Sequence, residues 1–95
     1  KVLFTISYEI KPGKRDEYLS LASEMKNHFV NTLGKGYDVF EQKGTKNVFS
    51  EVFTSNSIEE SDDLEDASDE KIQELISKLE EMIIGKMKYQ TLIGI

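Results

Sequence analysis

The sequence predicts an α+β fold in the order β-α-β-β-α-β, a four-stranded antiparallel sheet with two helices on one face. Three observations carry this. Residues 2–10 alternate with a period of two, so that Val2, Phe4, Ile6, Tyr8 and Ile10 share one face and Leu3, Thr5, Ser7 and Glu9 the other. Residues 14–31 and 69–84 carry apolar stripes of helical period: Tyr18, Leu21, Ala22, Met25, His28 and Phe29 in the first, Ile72, Leu75, Ile76, Leu79, Met82 and Ile83 in the second. Between them, GYDVFEQK (36–43) and KNVFSEVFT (46–54) are rich in β-branched and aromatic residues, and only Gly44 and Thr45 separate them, as in a hairpin.

The elements follow in order. Pro12 and Gly13 end the first strand. Asp16 and Glu17 fall in the first turn of helix one, where acids suit the positive end of the helix dipole, and Gly34 and Gly36 supply its stop. In the third strand Phe49, Glu51 and Phe53 share a face. The stretch SNSIEESDDLEDASDE (55–70) is half acidic; it reads as a short helical turn near Ile58–Asp63, a loop, and an N-cap at Ser68. Gly85 ends helix two, and residues 86–95 return to period two, Met87, Tyr89, Thr91, Ile93 and Ile95 against Lys88, Gln90, Leu92 and Gly94. This is the ferredoxin-like, split-βαβ arrangement in one domain, residues 1–95. The helices cover one side of the sheet only, yet Leu3 opposes Phe4, Val48 opposes Phe49 and Leu92 opposes Ile93. Strands with a solvated face alternate more cleanly. A second cover is expected, and a second copy through a two-fold axis is the simplest one.

Composition excludes several classes. The chain is 38% hydrophobic and 32% charged, a globular balance. It has no Cys and one His, so neither a disulfide framework nor a thiolate or His-rich metal site is expected, and no cofactor. The acidic run Asp62, Asp63, Glu65, Asp66, Asp69, Glu70 lacks the spacing and central Gly of a calcium loop and reads as a solvated segment before helix two. A net charge of −6 with a single Arg argues against nucleic-acid and anionic-membrane partners. No apolar run approaches the roughly 18 residues of a membrane span. The default expectation is a cytoplasmic protein, with a leader removed before Lys1 left open.

A strand ending in Tyr8, the turn KPGKRDEYL into helix one, and then GYDVFEQKGTKNVFSEVFTSNSIEE together resemble the antibiotic-biosynthesis-monooxygenase family of the dimeric α+β barrels. The likeness spans the chain, and its motifs are structural more than catalytic. It implies dimers that stack two sheets face to face with helices outside, and a pocket between sheet and helices for polyketides, quinols or haem. It further implies cofactor-free oxygenases in which the substrate itself activates oxygen. The chain departs from the active patterns where many members have Glu-x-Trp in strand three. Here that stretch is Glu51-Val52-Phe53, there is no Trp, and no His follows the strand. Haem degradation is set aside on those grounds.

Within such a pocket the expected lining is drawn from Phe4, Ile6, Tyr8, Phe49, Glu51, Phe53, Met25, His28 and Leu75, although parity alone leaves open which face of strand one meets the helices. His28, the only imidazole, is a candidate base, or else an ordinary helix-edge histidine. Glu51, between two Phe, is a half-buried carboxyl with a raised pKa or a cross-strand partner of a Lys. Tyr8, Tyr37 and Tyr89 can orient a phenolic ligand or serve in the core; Tyr8, Phe49, Phe53 and Met25 are the ligand-binding candidates. Three functions are compatible. The first is a homodimer that oxidises or binds an aromatic or quinone-like molecule with His28 and Glu51 exchanging protons. The second is a non-catalytic small-molecule-binding or stress-linked module on the same scaffold. The third is an amino-acid-sensing regulatory domain, which would be fused to an enzyme.

Overall fold

A computed structural model describes residues 1–66 and 69–95, with the side chains of 64–66 left aside. The elements are β1 (Val2–Ile10), α1 (Arg15–Lys26) running on into a π-helical segment (Asn27–Thr32), β2 (Gly36–Glu41), β3 (Val48–Ser55), α2 (Ile58–Asp66), α3 (Glu70–Met82) and β4 (Ile83–Ile93). The four strands form one antiparallel sheet in the order β2-β3-β1-β4. This is the ferredoxin-like topology expected from the sequence.

Burial settles the parity of β1. Tyr8 and Ile10 are buried in the core with Tyr37 of β2 and with Phe49 and Phe53 of β3, and Phe4 and Ile6 pack against them. The side with Phe4 and Tyr8 therefore meets α1 and α3, which supply Tyr18, Leu21, Met25, Ile72, Leu75 and Leu79. Removing these side chains from water is the main drive for folding.

Five boundaries differ from expectation, each for a local reason. Helix one is α-helical only to Lys26; from Asn27 the bonds widen, the Leu33 amide reaching the His28 carbonyl at 3.0 Å, and Gly34 closes the segment at φ +67°. The hairpin loop is six residues, 42–47, not two, because both Gly44 (φ +88°) and Asn47 (φ +65°) take left-handed backbone. The short turn after β3 is a full helix of nine residues, begun by Ser57, whose hydroxyl accepts from the Glu60 amide at 3.2 Å. The expected cap Ser68 lies outside the described residues; the cap on α3 is Asp69, whose carboxylate accepts from the Ile72 amide at 2.7 Å. Gly85 does not end helix two. The helix stops at Met82, Ile83 is already extended, and Gly85 (φ +73°) lies within β4. There β1 advances from Ser7 to Glu9 while β4 goes from Lys88 to Ile84, so three residues stand opposite Tyr8. That is a bulge, and it needs the left-handed glycine.

Candidate functional site

A cavity of about 440 Å³ lies between the sheet and the helices. Its floor is Phe4 and Ile6 of β1, Glu51 and Phe53 of β3, and Met87 and Tyr89 of β4. Met25, Phe29 and Leu33 close one side, and Ile72, Leu75, Ile76 and Leu79 of α3 the other. Its rim meets solvent where Ile76 and Tyr89 are exposed. The volume is within the roughly 300–1,000 Å³ usual for small-molecule sites.

Glu51 is the one carboxyl on this wall among the described residues, and it is 4% exposed. The strand order explains how it is held. β3 lies between β1 and β2, so residues of like parity on both neighbours flank it: Glu51 pairs with Ile6 on one side and Val39 on the other, and Tyr8 and Tyr37 sit two residues along. Tyr37 donates to Glu51 Oε1 at 2.6 Å and Tyr8 donates to Oε2 at 2.8 Å. The Tyr8 hydroxyl also meets the Tyr18 hydroxyl at 2.8 Å, and that of Tyr37 lies 3.8 Å from Met25 Sδ.

Burial pushes the Glu51 carboxyl above its ordinary range, and the two phenol donors only partly oppose this. Burial, and then the charge of Glu51, drives the Tyr8 and Tyr37 phenols far up, so both remain protonated donors. The network accommodates either state of Glu51. Ionised, it accepts from two phenols. Protonated on Oε1, it donates to Tyr37, whose own proton turns toward Met25 Sδ. The arrangement can therefore take up or release one proton at the cavity wall without leaving a buried donor unpaired.

The other candidates fall in different places. Phe53 and Met25 line the cavity with Glu51. Tyr8 stands behind the wall as the donor to Glu51. Phe49 lies beneath Tyr18, ring centroids 4.3 Å apart, with the Arg15 guanidinium 5.5 Å from its centroid. That guanidinium forms a fork with Glu41, which holds the Glu41 carboxyl down at about 2. His28 is not on the cavity wall; its Nε2 lies 3.2 Å from Asp69 Oδ2, tying the π-helical segment to the cap of α3. The structure thus does not bring His28 and Glu51 into one constellation. Sequence reasoning missed the roles of Tyr37 and Tyr18 around Glu51, and Lys35 on the wall. Among the described residues no group of three or more His, Cys, Asp or Glu could hold a metal ion. No described helix is long and apolar enough to cross a membrane.

No family model and no curated protein matches the chain. Solved structures do. An antibiotic biosynthesis monooxygenase superposes with a TM-score of 0.72 at 14% identity, over 100% of this chain and 99% of that one. A NIPSNAP family protein from Agrobacterium tumefaciens gives 0.77 at 21% identity, over 97% and 90%. A conserved protein of unknown function from Bacteroides thetaiotaomicron, described as a "possible oxidoreductase", gives 0.76 at 17%, over 96% and 94%. At these identities the likeness is one of fold. The chain has the ferredoxin-like α+β fold shared by an antibiotic biosynthesis monooxygenase and by NIPSNAP proteins.

Proposed function

We propose that the cavity binds a small aromatic or quinone-like molecule and that Glu51 exchanges a proton with it, in the manner of the cofactor-free monooxygenases that the sequence resembles. The observation that carries this is Glu51 itself: a buried carboxyl on an otherwise apolar wall, gripped by two phenols and held above its ordinary pKa. In its ionised form it takes the proton of a phenol or quinol hydroxyl, and the resulting anion passes an electron to dioxygen, the co-substrate. A positioned base contributes about 10²–10⁴-fold to such a step. His28, bonded to Asp69, is the weaker of the two candidates.

The test is oxygen uptake with a panel of dihydroxy-aromatics by wild type, Glu51→Gln and His28→Ala. A fall of about 10²-fold or more for Glu51→Gln alone is the expected result. Equal rates in all three clear both residues. Ligand binding with no oxidation above background replaces this reading with the non-catalytic binding module. That second reading has an observation of its own: both Glu51 oxygens already have protein partners.

The functional unit we propose is a homodimer in the cytoplasm. The sheet face away from the helices presents Leu3, Val48 and Val52, only half-buried, and Phe40 and Leu92, exposed. Pairing two such faces sequesters on the order of 1,000–2,000 Å². Light scattering at micromolar concentration should give twice the 10.9 kDa chain mass; a clean monomer rules this assembly out.

A further inference from the structure

We infer that the cavity selects anionic ligands, an apolar ring body carrying one acid group, and that Lys35 is the residue that reads the charge. This rests on the cavity being a ligand site. Apart from the phenol of Tyr89, its wall carries two ionisable groups among the described residues, Glu51 and Lys35. They differ in situation. Glu51 is buried and its oxygens are engaged by phenols. Lys35 is half-buried and, among the described residues, has no ion-pair partner.

The chain has 18 acids for 12 basic residues, so a cation without a carboxylate stands out. Lys14, Lys26, Lys71, Lys78 and Arg15 all sit beside Asp or Glu. The other lysines that lack such a partner among the described residues, Lys1, Lys11, Lys43, Lys46, Lys86 and Lys88, are exposed. Lys35 alone is drawn into an apolar wall while unpaired. A cation there retains an unmet preference for an anion, and a ligand can supply it.

The backbone fixes where Lys35 starts. Gly34 is left-handed, the Lys35 amide donates to the Phe29 carbonyl at 2.8 Å, and Gly36 approaches β3 so closely that a Cβ there would meet Thr54 Cβ at 3.0 Å. The lysine thus leaves a turn pinned on both sides, and only its stem needs to order on binding. Such pre-organisation favours affinity.

Two probes share one ring body: 1-anilinonaphthalene-8-sulfonate and the uncharged N-phenyl-1-naphthylamine. Both fluoresce on entering an apolar site. Wild type should bind the sulfonate more tightly than the neutral probe, with the preference falling as salt is raised. Lys35→Met, which keeps the apolar stem, should weaken the sulfonate about three- to tenfold and leave the neutral probe unchanged. Lys35→Arg should retain the preference and Lys35→Glu reverse it. Thermal unfolding of each variant is recorded alongside, and Lys35→Gln replaces Lys35→Met if the latter melts early. Equal affinity of both probes for wild type, or an unchanged ratio in folded Lys35→Met and Lys35→Glu, overturns the inference while leaving the cavity as a binding site. Binding of neither probe overturns the ligand site and this inference together.

Discussion

Tyr18→Ala is expected to remove about 3–5 kcal/mol of stability, the usual cost of deleting a buried aromatic side chain. Tyr18 is wholly buried. Its ring lies 4.3 Å from that of Phe49 and edge-on to that of Tyr8 at 5.8 Å, and its hydroxyl is the outer end of the chain that leads to Glu51. The truncation leaves a void under α1 and an unpartnered position beside Tyr8. Domains of this size are stable by about 5–15 kcal/mol, so the loss is a large fraction of the total. Urea denaturation reads it directly, as a lower midpoint at unchanged slope. Tyr18→Phe isolates the hydroxyl and should cost about 0.5–1.5 kcal/mol. If Tyr18→Ala shifted stability by less than its Phe counterpart, the packing described here would be wrong.

The second large effect is on pH. Glu51 has a folded-state pKa raised above its unfolded value, chiefly by burial. Between those two values the native state holds a proton that the unfolded state has lost. Stability linked to this group is therefore fully present below the unfolded pKa and declines as pH rises through the folded one. The slope approaches about 1.4 kcal/mol per pH unit within the window. Glu41, Asp69 and Glu74 work in the opposite sense: their carboxyls are pulled down by Arg15, by the Ile72 amide and by Lys78, so their contribution is present at neutral pH and is lost on acidification. Comparing wild type with Glu51→Gln cancels those shared terms. The difference between the two unfolding free energies should be flat in acid and should move in favour of the amide variant above about pH 5, near the unfolded carboxylate range. Parallel curves would mean that Glu51 titrates in the native state as it does in the unfolded chain.

Much of the fold was legible because period two and period 3.6 are visible in one sequence, and because Val2 to Ile10 is so regular. Gly85 is ambiguous in the sequence for a physical reason. A helix stop and a bulge both call for a left-handed glycine, and only the pairing with β1 tells them apart. The sequence reads the hairpin loop too short: Gly44 announces left-handed backbone, while Asn47, a residue type that tolerates it, lies inside the run 46–54 that reads as strand. For the site, Glu51 was recognisable from its place between Phe49 and Phe53. Its phenol partners were not assigned, since that requires the strand order; with β3 central, Tyr8 and Tyr37 follow from parity. Lys35 lies between two glycines, where no period says which way a side chain goes. His28 drew notice as the only imidazole, yet the widened helix carries it to Asp69 at 3.2 Å.

The bulge in β4 bears on self-association of a different kind from dimerisation. β4 is eleven residues long and forms one margin of the sheet, where unpaired amides and carbonyls invite another chain to add a strand. A margin that runs straight over that length would be an effective template for fibril growth. Here residues 85–87 stand opposite Tyr8 alone, so the outward-facing hydrogen-bonding groups lose their regular spacing at mid-strand. An incoming strand in register with residues 88–93 falls out of register at 83–84. Lys86 lies within the break and Lys88 borders it, both exposed, and two such strands brought edge to edge would also repel. The interruption at Gly85 thus guards the molecule's longest open margin against amyloid-like stacking.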